Sequence, residues 1–233
     1  CQKSGNEKIK TSISLGHATK KNPQENIMKL LKKAEDIMYQ HKLLESHSLR
    51  SGIVNSIKNT LSEKSHETEE HAERLKDISR NIGKAMNLSE LQLYELELLA
   101  VLHDIGKIII RDSILNKPGK LNEEEWMEMK RHPEIGYRIV QSVPELSQIA
   151  EYILTHHERW DGNGYPRGLK GEEIPLLSRI ISVADAYDAI TNNRPYKKAQ
   201  TKQFAIEEIL NNSGTQFDPD VVRVFLDKVA IQL

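Results

Sequence analysis

The sequence predicts an all-α fold: a helical bundle that follows an N-terminal strand-plus-helix fragment and a helical connector. Residues 66–233 show almost none of the apolar–polar alternation that is typical of strands, and their apolar residues recur at helical spacing instead. Two capping-box patterns, Ser89 with Gln92 and Asn122 with Glu125, indicate the starts of helices within this stretch.

The first 44 residues are predicted to form one strand and one helix. Alternation over residues 9–15 ends at Gly16, and apolar residues then recur at helical spacing over residues 27–38. A single strand and a single helix cannot bury a core of their own. We therefore interpret residues 1–44 as the end of a domain whose remainder lies upstream.

Residues 45–65 are predicted to be a helical connector. Ile53, Ile57 and Leu61 share one helical stripe, with polar residues between them. Such a stripe either packs on the domain that follows or pairs with another chain. A homodimer through this connector is therefore one hypothesis.

Composition excludes several kinds of partner. The formal net charge of 233 residues is -1, so no global basic field attracts double-stranded nucleic acid. No apolar run approaches the roughly 20 residues of a membrane span. The single cysteine, Cys1, cannot form an internal disulfide, which favours a reducing compartment. We expect a cytoplasmic location, with any membrane tether in upstream segments.

Histidines and carboxylates are the residues that indicate chemistry. His71 shares a helical face with Glu67, four residues earlier, and His103 follows an apolar face and precedes Asp104. His132 precedes Pro133, which we expect to exclude helical geometry at His132 and to begin a new helix. Each of these features alone is compatible with a purely structural role.

Three more such residues lie further along the chain. His156 and His157 are predicted to diverge by about 100° at a helix end, so that they reach two different metals. Asp185 lies inside an apolar helical run, where a carboxylate is costly unless it is paired or metal-bound. Five histidines and two aspartates directed into one core stabilise each other when they surround cations. Mid-row divalent metals accept this mixture of nitrogen and oxygen ligands.

Successive motifs resemble those of the HD-GYP domains, a family of HD-domain phosphodiesterases with a helical-bundle fold. They are HxxR from His71, HDIGK from His103, MKRHPEIG, HHERWDGNGYPRGL and RIISVADAYDAITNNRPY. The motifs occur in the family's order and span nearly all of residues 66–233. One departure is Arg111, where the family usually carries proline before Asp112.

The resemblance implies a set of metal ligands. They are His71, His103, Asp104, His132, His156, His157 and Asp185, with Glu67 as the extra carboxylate of members that hold three metals. Asp104 would bridge two metals. The implied cofactors are two or three divalent ions, Fe or Mn, and ligand identity does not choose between these metals.

The resemblance also implies catalytic and substrate-binding residues. Asp104, His103 and Lys107 would carry the catalysis, with Lys107 near the reacting phosphate. The substrate would contact a further set of residues: Gly164, Tyr165, Pro166, Arg194 and Lys197.

The implied reaction is metal-dependent hydrolysis of cyclic di-GMP or a related cyclic dinucleotide by a hydroxide that bridges two metals. The product would be the linear dinucleotide, GMP or both. The sequence does not distinguish cyclic di-GMP from cyclic GMP-AMP. Two other functions stay open: an inactive module that binds cyclic dinucleotides or a partner, and a general HD-family nucleotide phosphohydrolase.

A second resemblance concerns the N-terminus. KTSISLGHA followed by IMKLLKKAEDIMYQHK is similar to the last strand and last helix of a GGDEF domain. The family's active-site loop is absent from this chain, so no cyclase activity is implied. The predicted domains are thus a GGDEF-like fragment (1–44), a connector (45–65) and an HD-GYP domain (66–233).

Overall fold

The computed structural model describes residues 68–193 and 198–231 continuously and some positions before them. Those positions are residues 15–20, 22, 26–32, 34–35, 38, 52, 54, 56–57, 59–61 and 63–64. The chain divides into two compact units, Cys1–Ile53 and Val54–Leu233.

In the first unit, the described residues of 27–38 are helical, as the sequence predicts. The predicted strand falls mainly on residues 9–14, outside the described residues, and Leu15 is not in a strand. Ile27 and Leu31 are exposed within this unit.

The connector is helical at its described positions between 52 and 64. Leu61 is buried and lines a small cavity with His71, Ala72 and His103 of the second unit. Ile53 lies outside the described residues. At Leu61, therefore, the connector packs on the domain that follows it.

Nine α-helices occur within residues 68–193 and 198–231. They are α1 (Glu69–Ala85), α2 (Glu90–Leu102), α3 (Asp112–Leu115), α4 (Glu123–Met129), α5 (His132–Gln141), α6 (Ala150–Thr155), α7 (Leu176–Thr191), α8 (Lys202–Asn211) and α9 (Pro219–Val224). Short 3-10 turns cover Ile105–Ile109, Ser147–Ile149 and Gly171–Glu173, and a π turn covers Phe225–Val229. The prediction of an all-α fold is confirmed, since the described residues form no strand beyond one isolated bridge. None of the described helices is both long and apolar enough to cross a bilayer.

The core lies between α1, α2 and α7, with α5 and α6 beside it. Leu75, Ile82, Leu96, Leu99 and Ile181 are almost completely buried there. Burying each such side chain contributes about 1.5–3 kcal/mol. The three long helices therefore form a rigid frame for the residues that lie on them and at their ends.

Both predicted capping boxes are confirmed. Ser89 accepts from the backbone N–H of Gln92, whose side chain accepts from the N–H of Ser89. Asn122 and Glu125 make the same reciprocal pair at the start of α4. These bonds satisfy N–H groups that have no intrahelical partner.

The expected start of α5 is corrected by one residue. The helix begins at His132 and not at Pro133, and the preceding Arg131 also has helical dihedral angles. A proline in the first turn removes no intrahelical hydrogen bond, because the N–H there has no partner in the helix. His132 therefore sits in the first turn of α5, immediately after a tight joint with α4.

Gly106 allows the turn after α2 to touch α5. A Cβ atom at Gly106 would overlap the carbonyl oxygen of His132 and lie 2.7 Å from the backbone N of Gly136. Both obstacles are backbone atoms, which cannot move aside as a flexible side chain does. This close approach brings Asp104, two residues before Gly106, next to His132.

We predict that Gly106→Ala destabilises the protein by about 1–3 kcal/mol or more, because the added methyl group separates the turn from α5. Urea unfolding followed by circular dichroism measures the change. Gly52→Ala is the control, since a Cβ at this helical position meets no atom within 4 Å. Equal stability of the two variants would contradict the packing argument.

Candidate metal centre

The predicted ligands come from separate elements that meet at one place in the second unit. His71 lies on α1, and His103 and Asp104 follow the end of α2. His132 begins α5, His156 and His157 follow α6, and Asp185 lies within α7. Two adjoining groups result, and in each the ligand atoms lie within 4.8 Å of one another. Group A is Asp104, His132, His156 and His157, and group B is His71, His103 and Asp185.

Asp104 lies between the two groups. Its Oδ1 is 3.0 Å from Nε2 of His132, in group A, and its Oδ2 is 3.2 Å from Nε2 of His103, in group B. Lys107 Nζ donates to Oδ2 at 2.6 Å. Burial alone would raise the pKa of Asp104, but the charge of Lys107, the largest of the opposing influences, helps to hold the pKa well below its usual range. Asp104 is therefore an ionised carboxylate that both groups share.

Three imidazoles are oriented by helix ends. Nδ1 of His103, His132 and His156 lies 3.2, 2.8 and 2.6 Å from the carbonyl oxygen three residues earlier. Those carbonyls belong to the last turns of α2, α4 and α6, where C=O groups have no intrahelical partner. A carbonyl only accepts, so Nδ1 carries the proton, which leaves the Nε2 lone pair directed into the cluster.

The expected divergence of His156 and His157 is wrong. Their ring centroids are 4.0 Å apart, and both residues belong to group A. The 100° helical offset does not apply, because α6 ends at Thr155 and both histidines lie in the turn beyond it. The second unit therefore directs both rings to one ligand group.

Group A favours a cation. Burial, followed by the neighbouring histidines, lowers the pKa of His156 and of His157 well below the usual range, so both rings are neutral at pH 7. Nε2 of His132 and Nε2 of His156 are 3.3 Å apart. Neutral imidazole nitrogens beside an ionised carboxylate are the ligands that mid-row divalent metals accept. The donor set thus fits a metal ion.

His71 has a partner that the sequence analysis did not include among the site residues. Its Nδ1 lies 2.6 Å from Oδ2 of Asp188, which also accepts from Arg74. Burial alone would raise the pKa of Asp188, but the hydrogen bonds from His71 and Arg74 lower it overall. The signal in the sequence was weak: Asp188 lies one turn after Asp185 in α7, and Arg74 one turn after His71 in α1.

The loop after His157 is held by Glu158, another residue that the sequence analysis left without a role. Its buried carboxylate accepts from the backbone N–H of Arg167 at 2.7 Å and of Leu169 at 3.0 Å. Gly164 touches the same segment, since a Cβ there would lie 2.5 Å from Cα of Glu158. A carboxylate followed by a glycine-containing loop is too common a pattern to predict this anchor.

The anchored loop places Tyr165 over the cluster. Its ring centroid is 4.9 Å from that of His157 and 6.3 Å from that of Trp126. Burial, and after it the charge of Asp104, raises the pKa of Tyr165 above its usual range, so its hydroxyl stays protonated. The peptide bond to Pro166 is cis.

A cavity of about 160 Å³ opens on the cluster. Its walls include His103, His157, Asp185 and Arg159. Three predicted site residues, Glu67, Arg194 and Lys197, lie outside the described residues, so their positions relative to this cavity stay predictions.

An all-α bundle with a buried His/Asp cluster at its helix ends defines a class of helical protein able to bind metal ions. Residues 55–221 of the chain match the profile of the HD domain family. The chain therefore belongs to the HD domain family.

Curated relatives share this part of the chain. A cyclic di-GMP phosphodiesterase of Thermotoga maritima is 48% identical over 176 residues, which are 74% of this chain and 48% of that protein. The 3'3'-cGAMP-specific phosphodiesterase 2 of Vibrio cholerae is 38% identical over 177 residues, which are 75% of this chain and 34% of that protein. The chain thus spans half or less of the length of these relatives.

A solved structure has the same fold. The crystal structure of a cyclic GMP-AMP-specific phosphodiesterase of V. cholerae matches with a TM-score of 0.58 at 24% identity. The match covers 74% of this chain and 46% of that one.

We predict that Glu158→Ala speeds amide hydrogen exchange at Arg167 and Leu169 by about tenfold or more, because each lost hydrogen bond to a charged acceptor is worth about 1.5–3 kcal/mol. Exchange measured by mass spectrometry or NMR tests this. Glu173→Ala is the control. Its exposed carboxylate accepts from the backbone N–H of Lys170, so its loss should leave the amides of Arg167 and Leu169 unchanged. Unchanged exchange at both amides in Glu158→Ala would show that other contacts anchor the loop.

Proposed function

We propose that this chain hydrolyses a phosphodiester bond of a cyclic dinucleotide, cyclic di-GMP first, with divalent metal ions as cofactors. The observation that carries the proposal is the shared carboxylate of Asp104, with group A on one oxygen and group B on the other. The similarity to named cyclic dinucleotide phosphodiesterases supports the same reaction.

Two metal ions fit the two groups of ligands, and Asp104 is the residue able to bridge them. Bound ions of this kind lower the pKa of water and offset the charge of a phosphodiester. We propose Fe or Mn, because imidazole and carboxylate ligands suit both metals. Glu67 would supply the ligand for a third ion.

Lys107 and Tyr165 have separate roles in the proposal. The ammonium group of Lys107, 2.6 Å from Asp104, offsets negative charge that develops on the phosphate. Tyr165 keeps its proton and therefore offers a hydrogen-bond donor beside His157. Gly164, which approaches the backbone of Glu158, and Pro166 are proposed to belong to the substrate-binding loop with Tyr165.

The cavity is too small for a whole cyclic dinucleotide. Ligand pockets are usually about 300–1,000 Å³, whereas this cavity has about 160 Å³. It suits the reacting phosphate, while the sugars and bases lie at its mouth beside Tyr165. Arg194 and Lys197 are proposed to bind the second phosphate or a base.

The reaction consumes one water molecule per bond. The water oxygen bonds to phosphorus, the P–O3′ bond breaks, and a proton goes to the leaving 3′ oxygen. The first product is the linear dinucleotide, and a second hydrolysis gives mononucleotide. Cyclic GMP-AMP is the alternative substrate, favoured by the similarity to the V. cholerae enzyme named for it.

All seven predicted ligands are present, which argues against an inactive sensor, because loss of activity usually needs only one missing ligand. The second pair, His156 with His157, and the loop anchored by Glu158 distinguish it from a general HD-family nucleotide phosphohydrolase. The activity test described below distinguishes the inactive sensor and the general phosphohydrolase from the proposed function.

We propose that the protein is a cytoplasmic enzyme. Residues 1–44 would be the end of a GGDEF-like domain, residues 45–65 a helical connector, and residues 66–233 an HD-GYP domain. The compact units divide after residue 53 and the family match begins at residue 55, and both positions lie inside the proposed connector. A homodimer through the connector predicts twice the 26.7 kDa mass in light scattering. A monomeric mass at working concentration would contradict it.

We predict that the wild-type chain with Mn²⁺ or Fe²⁺ converts cyclic di-GMP to linear dinucleotide or GMP, and that His103→Ala and Asp104→Ala each lose about 100-fold or more of the rate. Changes beside a metal ligand typically cost about 10–100-fold, so loss of a ligand itself costs at least as much. Chromatography of the nucleotides measures the products, with cyclic GMP-AMP and a simple mononucleotide assayed in parallel.

Asp220→Ala is the control, because this exposed carboxylate on α9 pairs with Arg223 at the surface. It should keep the wild-type rate. A wild type that binds metal yet releases no product would favour the sensor. Preferential hydrolysis of the mononucleotide would favour the general phosphohydrolase.

A further inference from the structure

The imidazoles of the cluster are held by two different means, and group B contains both. In group A, the Nδ1 atoms of His132 and His156 face backbone carbonyls. In group B, Nδ1 of His103 also faces a backbone carbonyl, whereas Nδ1 of His71 faces the carboxylate of Asp188 at 2.6 Å. A hydrogen bond to an ionised acceptor is roughly twice as strong as one between neutral groups, and it makes the imidazole a more basic ligand.

Asp188 is itself fixed by side chains. It is almost completely buried, and Nε and Nη2 of Arg74 lie 2.5 and 3.2 Å from its two oxygens. The Asn192 side chain donates to Oδ1 at 2.9 Å. Arg74 and His71 lie on α1. Asp188 lies in the last turn of α7, and Asn192 directly follows the end of that helix. The carboxylate is thus held in one orientation, with Oδ2 directed at His71.

We propose that Asp188, held by Arg74, is a positioning residue that sets the ligand strength of His71 and thereby the metal affinity of group B, independently of group A. The inference rests on the metal sites of the proposed function. Because Oδ2 accepts from Nδ1–H, the Nε2 lone pair of His71 is kept available on the side of His103 and Asp185. Arg74 keeps Asp188 from turning away.

A purely structural role is the competing explanation, since the pair also joins α1 to α7. The chain contains a matched pair that separates the two roles. Arg179 of α7 donates to Oδ2 of Asp218 at 2.6 Å, and Asp218 is as deeply buried as Asp188. This pair joins α7 to the start of α9 and involves no ligand histidine.

The first measurement is Mn²⁺ binding to the whole chain by isothermal titration calorimetry, with free Mn²⁺ followed by electron paramagnetic resonance. Wild type should bind Mn²⁺ at two sites. Asp188→Asn should weaken one site by about 10–100-fold and leave the other unchanged. Arg74→Gln should weaken the same site by less, because Asp188 remains as the acceptor. Asp218→Asn should keep both Mn²⁺ affinities, even if it lowers the unfolding midpoint as much as Asp188→Asn does.

The second measurement needs no metal. In metal-free, ¹⁵N-labelled protein, the His71 imidazole should show a protonated Nδ1 and an unprotonated Nε2, assigned by comparison with His71→Gln. Asp188→Asn should shift the ring toward a mixture of tautomers, since an amide oxygen is a weaker acceptor than a carboxylate. His132 and His156 should be unchanged, because backbone carbonyls fix them.

Two results would overturn the inference. One is equal weakening of both Mn²⁺ sites in Asp188→Asn and Asp218→Asn, which would mean a general loss of packing. The other is a His71 tautomer and Mn²⁺ affinities that are the same in wild type and Asp188→Asn. Selective loss of one Mn²⁺ in a protein that hydrolyses no cyclic dinucleotide would sustain the positioning role while refuting the proposed function.

Discussion

The buried carboxylate of Asp104 is the constraint on which the rest of the second unit depends. Removing an ionised carboxylate from water costs several kcal/mol unless opposite charge and hydrogen bonds compensate. Here Lys107 Nζ lies 2.6 Å from Oδ2, Nε2 of His103 lies beside the same oxygen, and Nε2 of His132 lies beside Oδ1. Two neutral imidazoles, His156 and His157, complete the surroundings. Neutral nitrogen lone pairs do not neutralise an anion, so the arrangement is most stable with cations among them.

The ends of three helices fix the orientation of most of these imidazoles. A helix leaves its last carbonyls without partners, and a histidine just beyond the end has an Nδ1–H that reaches the carbonyl three residues back. This pairing recurs at the ends of α2, α4 and α6. One local rule thus satisfies three carbonyls, fixes three tautomers and directs three Nε2 lone pairs inward. Gly106 then brings the end of α2 close enough to α5 for those lone pairs to meet.

The sequence predicted what depends on local pattern and missed what depends on distant contacts. Helix type and both capping boxes follow from residues within one or two turns, and the structure confirms them. The ring directions of His156 and His157 were wrong, because helical geometry was extended past Thr155 into a turn. Asp188 contacts His71 across 117 residues of chain, a pairing that no local period encodes. The motif resemblance named the candidate ligands, but only packing shows which of them lie together in each group.

The histidines of the cluster differ in what holds their imidazoles in place. Backbone carbonyls hold His132 and His156, and a substitution elsewhere cannot remove a carbonyl without unwinding a helix end. His71 depends instead on the carboxylate of Asp188, and that carboxylate depends on Arg74 and Asn192. These three side chains lie outside the predicted ligand set. His71 of group B is therefore the imidazole held by side chains, and substitution of those side chains is the way to alter the affinity proposed for group B while every predicted ligand stays the same.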